Sequence, residues 1–330
     1  MGSLDYPLTT LPLCISRALA NLAWLKPYLL GPAAPLERVW DERHPFGTLR
    51  FFQPAGPCSA VLLYLHGGGF TLCSLASHDP LCRFLAHRTS TLVVSLDYRL
   101  APEHAIPAPQ EDVLAAYRHL LSRAPSLAVT GDAGRALVGV GGDSAGGNLA
   151  ASLCLALASG ALGSEPPPFP SGARVAPLEV LSSTPQPAFQ LLIYPATDLT
   201  LSSSTPSHAR YGGGGWMLSA RLRDFFWRHY LGPAGEAREA LKRHPLVSPS
   251  RGSPEALALV CPAIVLTAEH DILHDEGVAF AQLLQRCGAR AEHLEARGLY
   301  HGFATSTEIK SGAAALTDMC QRLVLLIQTL

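Results

Sequence analysis

The chain reads as an α/β protein with a mostly parallel sheet and helices on both faces. Short β-like runs alternate with helical ones over most of the 330 residues. The later runs are near-continuous Val, Leu and Ile, as strands become when helices cover both of their faces. A third signal is local. Gly141-Gly-Asp-Ser-Ala-Gly-Gly147 stands between an apolar run and an Ala/Leu-rich stretch, the pattern of a strand that turns at once into a helix.

Strand candidates begin at 36–41 and 48–53, with a turn at Pro45-Phe-Gly47 that marks an antiparallel start. They continue at 60–66, 91–97, 135–141, 189–194, 263–268 and 290–296. From residue 60 onward most are followed by helical stretches, at 80–88, 110–122, 145–158, 276–286 and 312–328. Two regions break the alternation. Residues 160–187 are rich in Pro, Gly, Ser and Ala with little apolar period, which predicts a long mobile loop without chemistry of its own. Residues 199–257 hold a glycine run at 212–215 and a helix at 219–230, on which Leu222, Phe225, Phe226, Trp227 and Tyr230 form an aromatic-rich face. Such a face usually packs into a core, yet a helical insertion above the C-terminal strand ends is also where a lid belongs. The apolar stretch 11–30 is broken by Arg17, Asn21, Lys26 and Pro27. It predicts an amphipathic helix able to pack on that lid, not a membrane span.

Composition narrows the function. A chain 48% hydrophobic and 15% charged is one large globular domain or a domain with an insertion. A net charge of −1 gives no electrostatic reason to expect nucleic acid or an anionic membrane as partner. The eight cysteines form no Cys-x-x-Cys pair and mostly sit in apolar stretches, which predicts buried free thiols in a reducing compartment. The N-terminus carries Asp5 and no basic n-region, and Tyr6 stands where myristoylation wants Ser or Thr. A cytoplasmic protein is the expectation.

Acyl transfer needs a nucleophile, a base, a group to orient the base, and donors aimed at the developing oxyanion. Ser144 stands at the apex of the strand-turn-helix, where Gly142 and Gly146 permit a turn that side chains would obstruct. After the run at 60–66 comes His66-Gly67-Gly68-Gly69-Phe70. Three glycines cost conformational entropy on folding, and make sense where bare amides must approach a ligand. With the amide of Ala145, the residue after the nucleophile, such a loop makes an oxyanion hole. His66 is expected to prop this loop by hydrogen bonds.

The base should follow the last strand, and Tyr300-His301-Gly302-Phe303 is so placed among 13 histidines. The acid should follow the penultimate strand, in Glu269-His-Asp271-Ile-Leu-His-Asp275-Glu276. Asp275 and Glu276 open a helix, where carboxylates cap free amides. Asp271 lies before that cap and is the better partner for His301, with Asp275 the alternative.

Together these pieces closely resemble the hormone-sensitive-lipase family of α/β-hydrolases, which includes bacterial carboxylesterases and arylacetamide deacetylases. The matching segments are His66-Gly-Gly-Gly69, Asp97-Tyr-Arg-Leu-Ala-Pro-Glu-His104, Gly142-Asp-Ser-Ala-Gly-Gly147, Leu192-Ile-Tyr-Pro195, Asp271-Ile-Leu-His-Asp-Glu-Gly277 and Tyr300-His-Gly-Phe303, in the family's order over roughly residues 35 to 325. The resemblance implies an α/β-hydrolase fold, with an eight-stranded core over 36–198 and 258–330, and a cap from 1–35 and 199–257. It implies Ser144, Asp271 and His301 as the triad and Gly68, Gly69 and Ala145 as oxyanion donors, with Gly67 shaping the loop. Asp143 takes a structural place behind the elbow, Arg99 and Glu103 are structural too, and Glu111 and Asp112 look like caps of their helix.

The expected activity is a serine carboxylesterase working through an acyl-enzyme on short-to-medium acyl esters, with Trp216, Phe225 and Phe226 as candidate pocket walls. An amidase or deacetylase on the same triad is the nearer alternative, and a non-catalytic small-ligand receptor the more distant one. No His/Cys/Asp cluster has ligand spacing in the sequence, so no metal or organic cofactor is implied. The expected partner is a small-molecule ester, with an edge strand near 290–296 available for a homodimer.

Overall fold

A computed structural model describes residues 12–22, 34–124, 127, 137–201, 204–305 and 310–330. Eight strands form one sheet in the order β1-β2-β4-β3-β5-β6-β7-β8. β1 (Arg38–His44) and β2 (Gly47–Gln53) form a hairpin closed by a two-residue turn, His44 opposite Gly47. β2 pairs antiparallel with β4 (Leu92–Asp97), and every later pairing is parallel. These are β3 (Val61–Leu65), β5 (Val138–Asp143), β6 (Gln190–Ile193), β7 (Ala263–His270) and β8 (Ala291–Tyr300).

The continuous apolar runs follow from burial on both faces. Leu63 and Leu65 of β3 join a core layer with Tyr117, Leu149 and Phe280, while Leu62 and Tyr64 join the opposite layer with Leu85, Met319 and Leu323. Side chains alternate across a strand, so a strand inside such a sandwich has no solvent face to leave polar. β8, at the sheet edge, is largely half-buried or exposed and carries Glu, His and Arg.

The helices, in order, begin with α1 (Leu13–Leu22) and α2 (Leu75–Thr89). Residues 23–29 of the expected N-terminal helix, and 135–136 of the strand expected at 135–141, lie outside the described residues. α2 starts five residues before the stretch expected at 80–88. A capping box between Ser74 and Ser77 opens it, and Pro80 lies inside it. Proline favours a first helical turn, which is why Pro80 read as a helix start.

α3 (Ala108–Arg123) and α4 (Ala145–Ala161) pack on one face of the sheet. The segment 160–187, expected as a structureless loop, carries a short helix α5 (Leu178–Ser183) against α4. Its Phe169 is buried and stacks on His244 at 4.1 Å. The segment 199–257 contributes α6 (Pro206–Tyr211), α7 (Ala220–Leu231), α8 (Glu236–Arg243) and the start of α9 (Pro254–Ala258). α10 (His274–Arg286) and α11 (Lys310–Ile327) complete the fold. Among the described residues no helix is long and apolar enough to cross a membrane.

Candidate active site

β5 ends at Asp143 and α4 begins at Ala145, leaving one residue between them. That residue, Ser144, has φ 54° and ψ −116°, a conformation L-residues rarely adopt and one that surrounding structure must hold in place. The close approach that forces the glycines is with β3. A Cβ at Gly142 would lie 2.4 Å from the Leu65 carbonyl oxygen, and one at Gly146 only 1.9 Å from it. The Ser144 amide donates to the Ile193 carbonyl at 2.9 Å, tying the turn to β6.

The glycine loop leaves the end of β3 beside this turn. Gly68 and Gly69 have positive φ, 107° and 61°. The carbonyl of Gly68 accepts from the amides of Thr71 and Leu72, and that of Gly69 accepts from the Thr71 hydroxyl. Among the described residues no hydrogen bond engages the amides of Gly68, Gly69 or Ala145. Ala145 opens α4, so its amide has no carbonyl one turn back to bond.

Gly67 is tied differently. Its amide donates to Asp143 Oδ1 at 2.9 Å, and the buried Tyr64 hydroxyl donates to the same oxygen at 2.8 Å. His78 of α2 places Nε2 3.1 Å from that oxygen. Burial works to raise the Asp143 carboxyl, but His78, Tyr64 and the remoter His66 outweigh it and hold it below the usual carboxylate range. His66 is buried with Nδ1 2.8 Å from the Gly67 carbonyl, and the Tyr98 hydroxyl donates to the His66 carbonyl at 2.7 Å. Desolvation, reinforced by His78, lowers His66 to about 4, so at neutral pH the ring is uncharged.

His301 follows β8 directly, and Asp271 follows β7. His301 Nε2 is 2.9 Å from Ser144 Oγ, and Nδ1 is 2.7 Å from Asp271 Oδ2. Asp271 is 1% exposed, and its Oδ1 accepts from the Leu273 amide at 2.9 Å. The three side chains, 157 and 30 residues apart by chain from His301, form one continuous hydrogen-bonded line. Gly69 and Ala145 line the recess in front of the same serine, and Gly68 precedes Gly69 in the loop.

That recess is walled by Phe70, Leu199, Leu218, Phe226, Trp227 and Leu273, with Arg223 and Glu276 as its ionisable residues. Phe226 is the candidate wall that reaches it. Trp216 instead stacks on His270 at 4.4 Å, and Phe225 packs beside Leu218, Leu222 and Leu273. Phe226 also bears directly on the glycine loop, because a Cβ on Gly69 would fall 2.1 Å from its ring.

Four carboxylates have different places from those the sequence suggests. Asp112 and Glu111 do not cap α3. Both bind Arg99, and Asp112 Oδ2 also accepts the Arg99 backbone amide at 2.9 Å. Asp275 does not cap α10 but accepts from the Ser207 amide at 2.8 Å, anchoring α6. Glu276 is 5% exposed, and its Oε1 accepts the Thr197 and Asp198 amides at 2.7 and 3.3 Å. Desolvation outweighs those two bonds and, helped by Asp198 and Asp271, raises its carboxyl to about 8.

Glu276 and His78 are buried groups whose burial the motifs do not give. The signal for each was periodicity. Glu276 shares a helical face with Phe280 and Leu284, and His78 with Leu81, Cys82 and Leu85. A titratable group inside an apolar stripe has a buried partner to find.

A sequence profile of the family described as "alpha/beta hydrolase fold" matches residues 62–305. The carboxylic ester hydrolase LipN of Mycobacterium tuberculosis is 34% identical over 274 residues, covering 82% of this chain and 64% of that protein. The ethyl acetate hydrolase of Pseudomonas putida is 36% identical over 244 residues, covering 74% and 66% respectively. The chain thus spans just under two thirds of the length of these relatives. A solved esterase from Pyrobaculum calidifontis superposes with a TM-score of 0.76 at 32% identity, covering 97% of this chain and 94% of that one. With the doubly wound sheet, the strained serine turn and the glycine loop, these likenesses show that the chain belongs to the α/β-hydrolase fold family, in the hormone-sensitive-lipase branch that its motifs resemble.

Proposed function

We propose that the chain is a serine carboxylesterase acting on short-to-medium acyl esters through an acyl-enzyme. The observation that carries this reading is the unbroken line Asp271–His301–Ser144, with contacts of 2.7 and 2.9 Å, ending on a serine held in a strained turn. His301 Nε2 takes the Ser144 proton as Oγ attacks the ester carbonyl, and Asp271 holds the ring by its Nδ1–H and stabilises the imidazolium. The oxyanion that forms is received by the amides of Gly68, Gly69 and Ala145. His301 then returns the proton to the leaving alcohol, and a water activated by the same ring releases the acid.

In this reading 36–198 with 258–330 is the catalytic body, and 1–35 with 199–257 is the cap. Arg17 of α1 supports that assignment, since it bonds the carbonyls of Thr71 and Ala101 and the carboxylate of Glu103 around the glycine loop. The aromatic wall that Phe226 and Trp227 set across the recess supports short-to-medium acyl chains. β8, unpaired along one edge, is the face a second copy would use.

The test is hydrolysis of a p-nitrophenyl ester series from C2 to C16. Ser144→Ala lowers kcat by about 10⁴-fold or more with the circular dichroism unchanged. A variant retaining close to the parent rate overturns the assignment. Turnover of an aryl acetate against its amide separates esterase from amidase.

A further inference from the structure

Glu42, His44 and His119 converge on one point of the hairpin edge. Their ligand-capable atoms all lie within 4.8 Å of one another, the one such group among the described residues. We propose that this is a binding site for a divalent transition cation of the zinc type, separate from the esterase chemistry.

The site is built by two elements. Trp40, Glu42 and His44 alternate along β1 and share its half-buried face, while Asp41 and Arg43 point to solvent. α3 crosses with this hairpin and adds His119. His44 Nε2 is 3.6 Å from Glu42 Oε2, and the two imidazole rings have centroids 4.3 Å apart.

The observation that asks for a ligand is the state of the two rings. His44 Nε2 and His119 Nε2 are both buried atoms with no hydrogen-bond partner. Buried polar atoms are nearly always satisfied, and two orphaned imidazole nitrogens beside one carboxylate share an obvious missing partner. Each offers a lone pair that a cation would accept. Phe46 stacks on the His44 ring at 4.9 Å, and Trp40 Nε1 donates to Glu42 Oε1 at 2.9 Å. Ring and carboxylate are therefore oriented from outside the site, as second-layer contacts orient metal ligands. Zinc bonds of about 2.0–2.1 Å put tetrahedral ligand atoms about 3.3 Å apart. Side-chain adjustments of about an ångström close the set, leaving a fourth position for water.

One neighbour opposes the cation. Arg123 bonds the same Glu42 Oε2, so it neutralises the carboxylate in the empty site and competes with the metal. That makes its removal informative. The site sits beside β1, four places along the sheet from β5, and uses no residue of the proposed triad.

The test is calorimetric titration of Zn(II) into the full chain after treatment with a chelator. The expected result is one equivalent of zinc per chain, with binding weakened about tenfold or more by His44→Gln and by His119→Gln separately. Arg123→Gln binds more tightly than the parent. Co(II) in the same site gives the visible spectrum of a tetrahedral nitrogen-ligated ion, which both histidine variants lose. Circular dichroism checks that each variant is folded, and the two histidine variants are independent, so failure of one to fold leaves the other decisive. Equal zinc uptake by the parent and a folded histidine variant places binding at other histidines and overturns the proposal, as does the absence of saturable binding to the parent.

Discussion

Behind the glycine loop and the serine turn, on the sheet side of the recess, a polar network gathers around one carboxylate. Asp143 alone takes the Tyr64 hydroxyl and the Gly67 amide and faces His78, and the Ser144 amide is fixed to β6. On the α7 side the wall is mainly apolar, made of Phe226 and Trp227 with Leu218 before them and Arg223 among them. The first wall is specified by directional bonds in a medium where unmade bonds are costly. The second is specified by shape, and aromatic packing tolerates change of contour far better than change of polarity. A fold that keeps its chemistry constant and varies its substrates would divide its walls in this way.

That contrast breaks most severely at Asp143. Asp143→Ala leaves Tyr64, Gly67 and His78 facing an empty site, and is expected to cost about 3–5 kcal/mol in denaturant unfolding. A cost below about 1 kcal/mol would show that the sheet-side network does not hold the loop.

Glu276 sharpens the comparison, because it is a buried carboxyl that lines the same recess. With its carboxyl raised from 4.5 to about 8, the native state keeps a proton that the unfolded chain releases. The sign follows: between those values stability falls as pH rises, by about 1.4 kcal/mol per pH unit from this group. Glu276→Gln removes that slope, so the difference in unfolding free energy between parent and variant should change steadily from pH 5 to pH 8. A constant difference would mean the carboxyl is already ionised in the fold.

The smallest effect is expected on the α7 side of the recess. Phe226→Ala should lower kcat/KM for a C6 ester about tenfold while a C2 ester changes little and stability stays near the parent's. Equal losses on both esters would mean that Phe226 holds the Gly69 turn and not the acyl chain.

Much of this was legible from the chain alone. The hairpin, the alternation of strand and helix, and the serine turn follow from apolar period and glycine placement, because those depend on neighbours a few residues away. Helix starts were less legible: Pro80 masked the first turn of α2, whose capping serine lies six residues earlier. The carboxylates at 111, 112, 275 and 276 all looked like caps, since a helix end always offers amides. Their true partners are Arg99, Ser207 and the Thr197–Asp198 backbone, which come from other segments.

Sequence alone determined the layer order and the residue types gathered at the proposed acyl-transfer site, because burial on two faces and tight turns leave a local imprint in residue choice. Only the tertiary structure decided which polar atoms meet. The line from Asp271 through His301 to Ser144, the bonds that hold Asp143, and the meeting of Glu42 and His44 with His119 all join residues far apart in the chain. Such pairings are set by sheet order and helix packing, and hydrogen bonds and metal bonds act over about 2–3 Å, a distance no spacing in the sequence encodes.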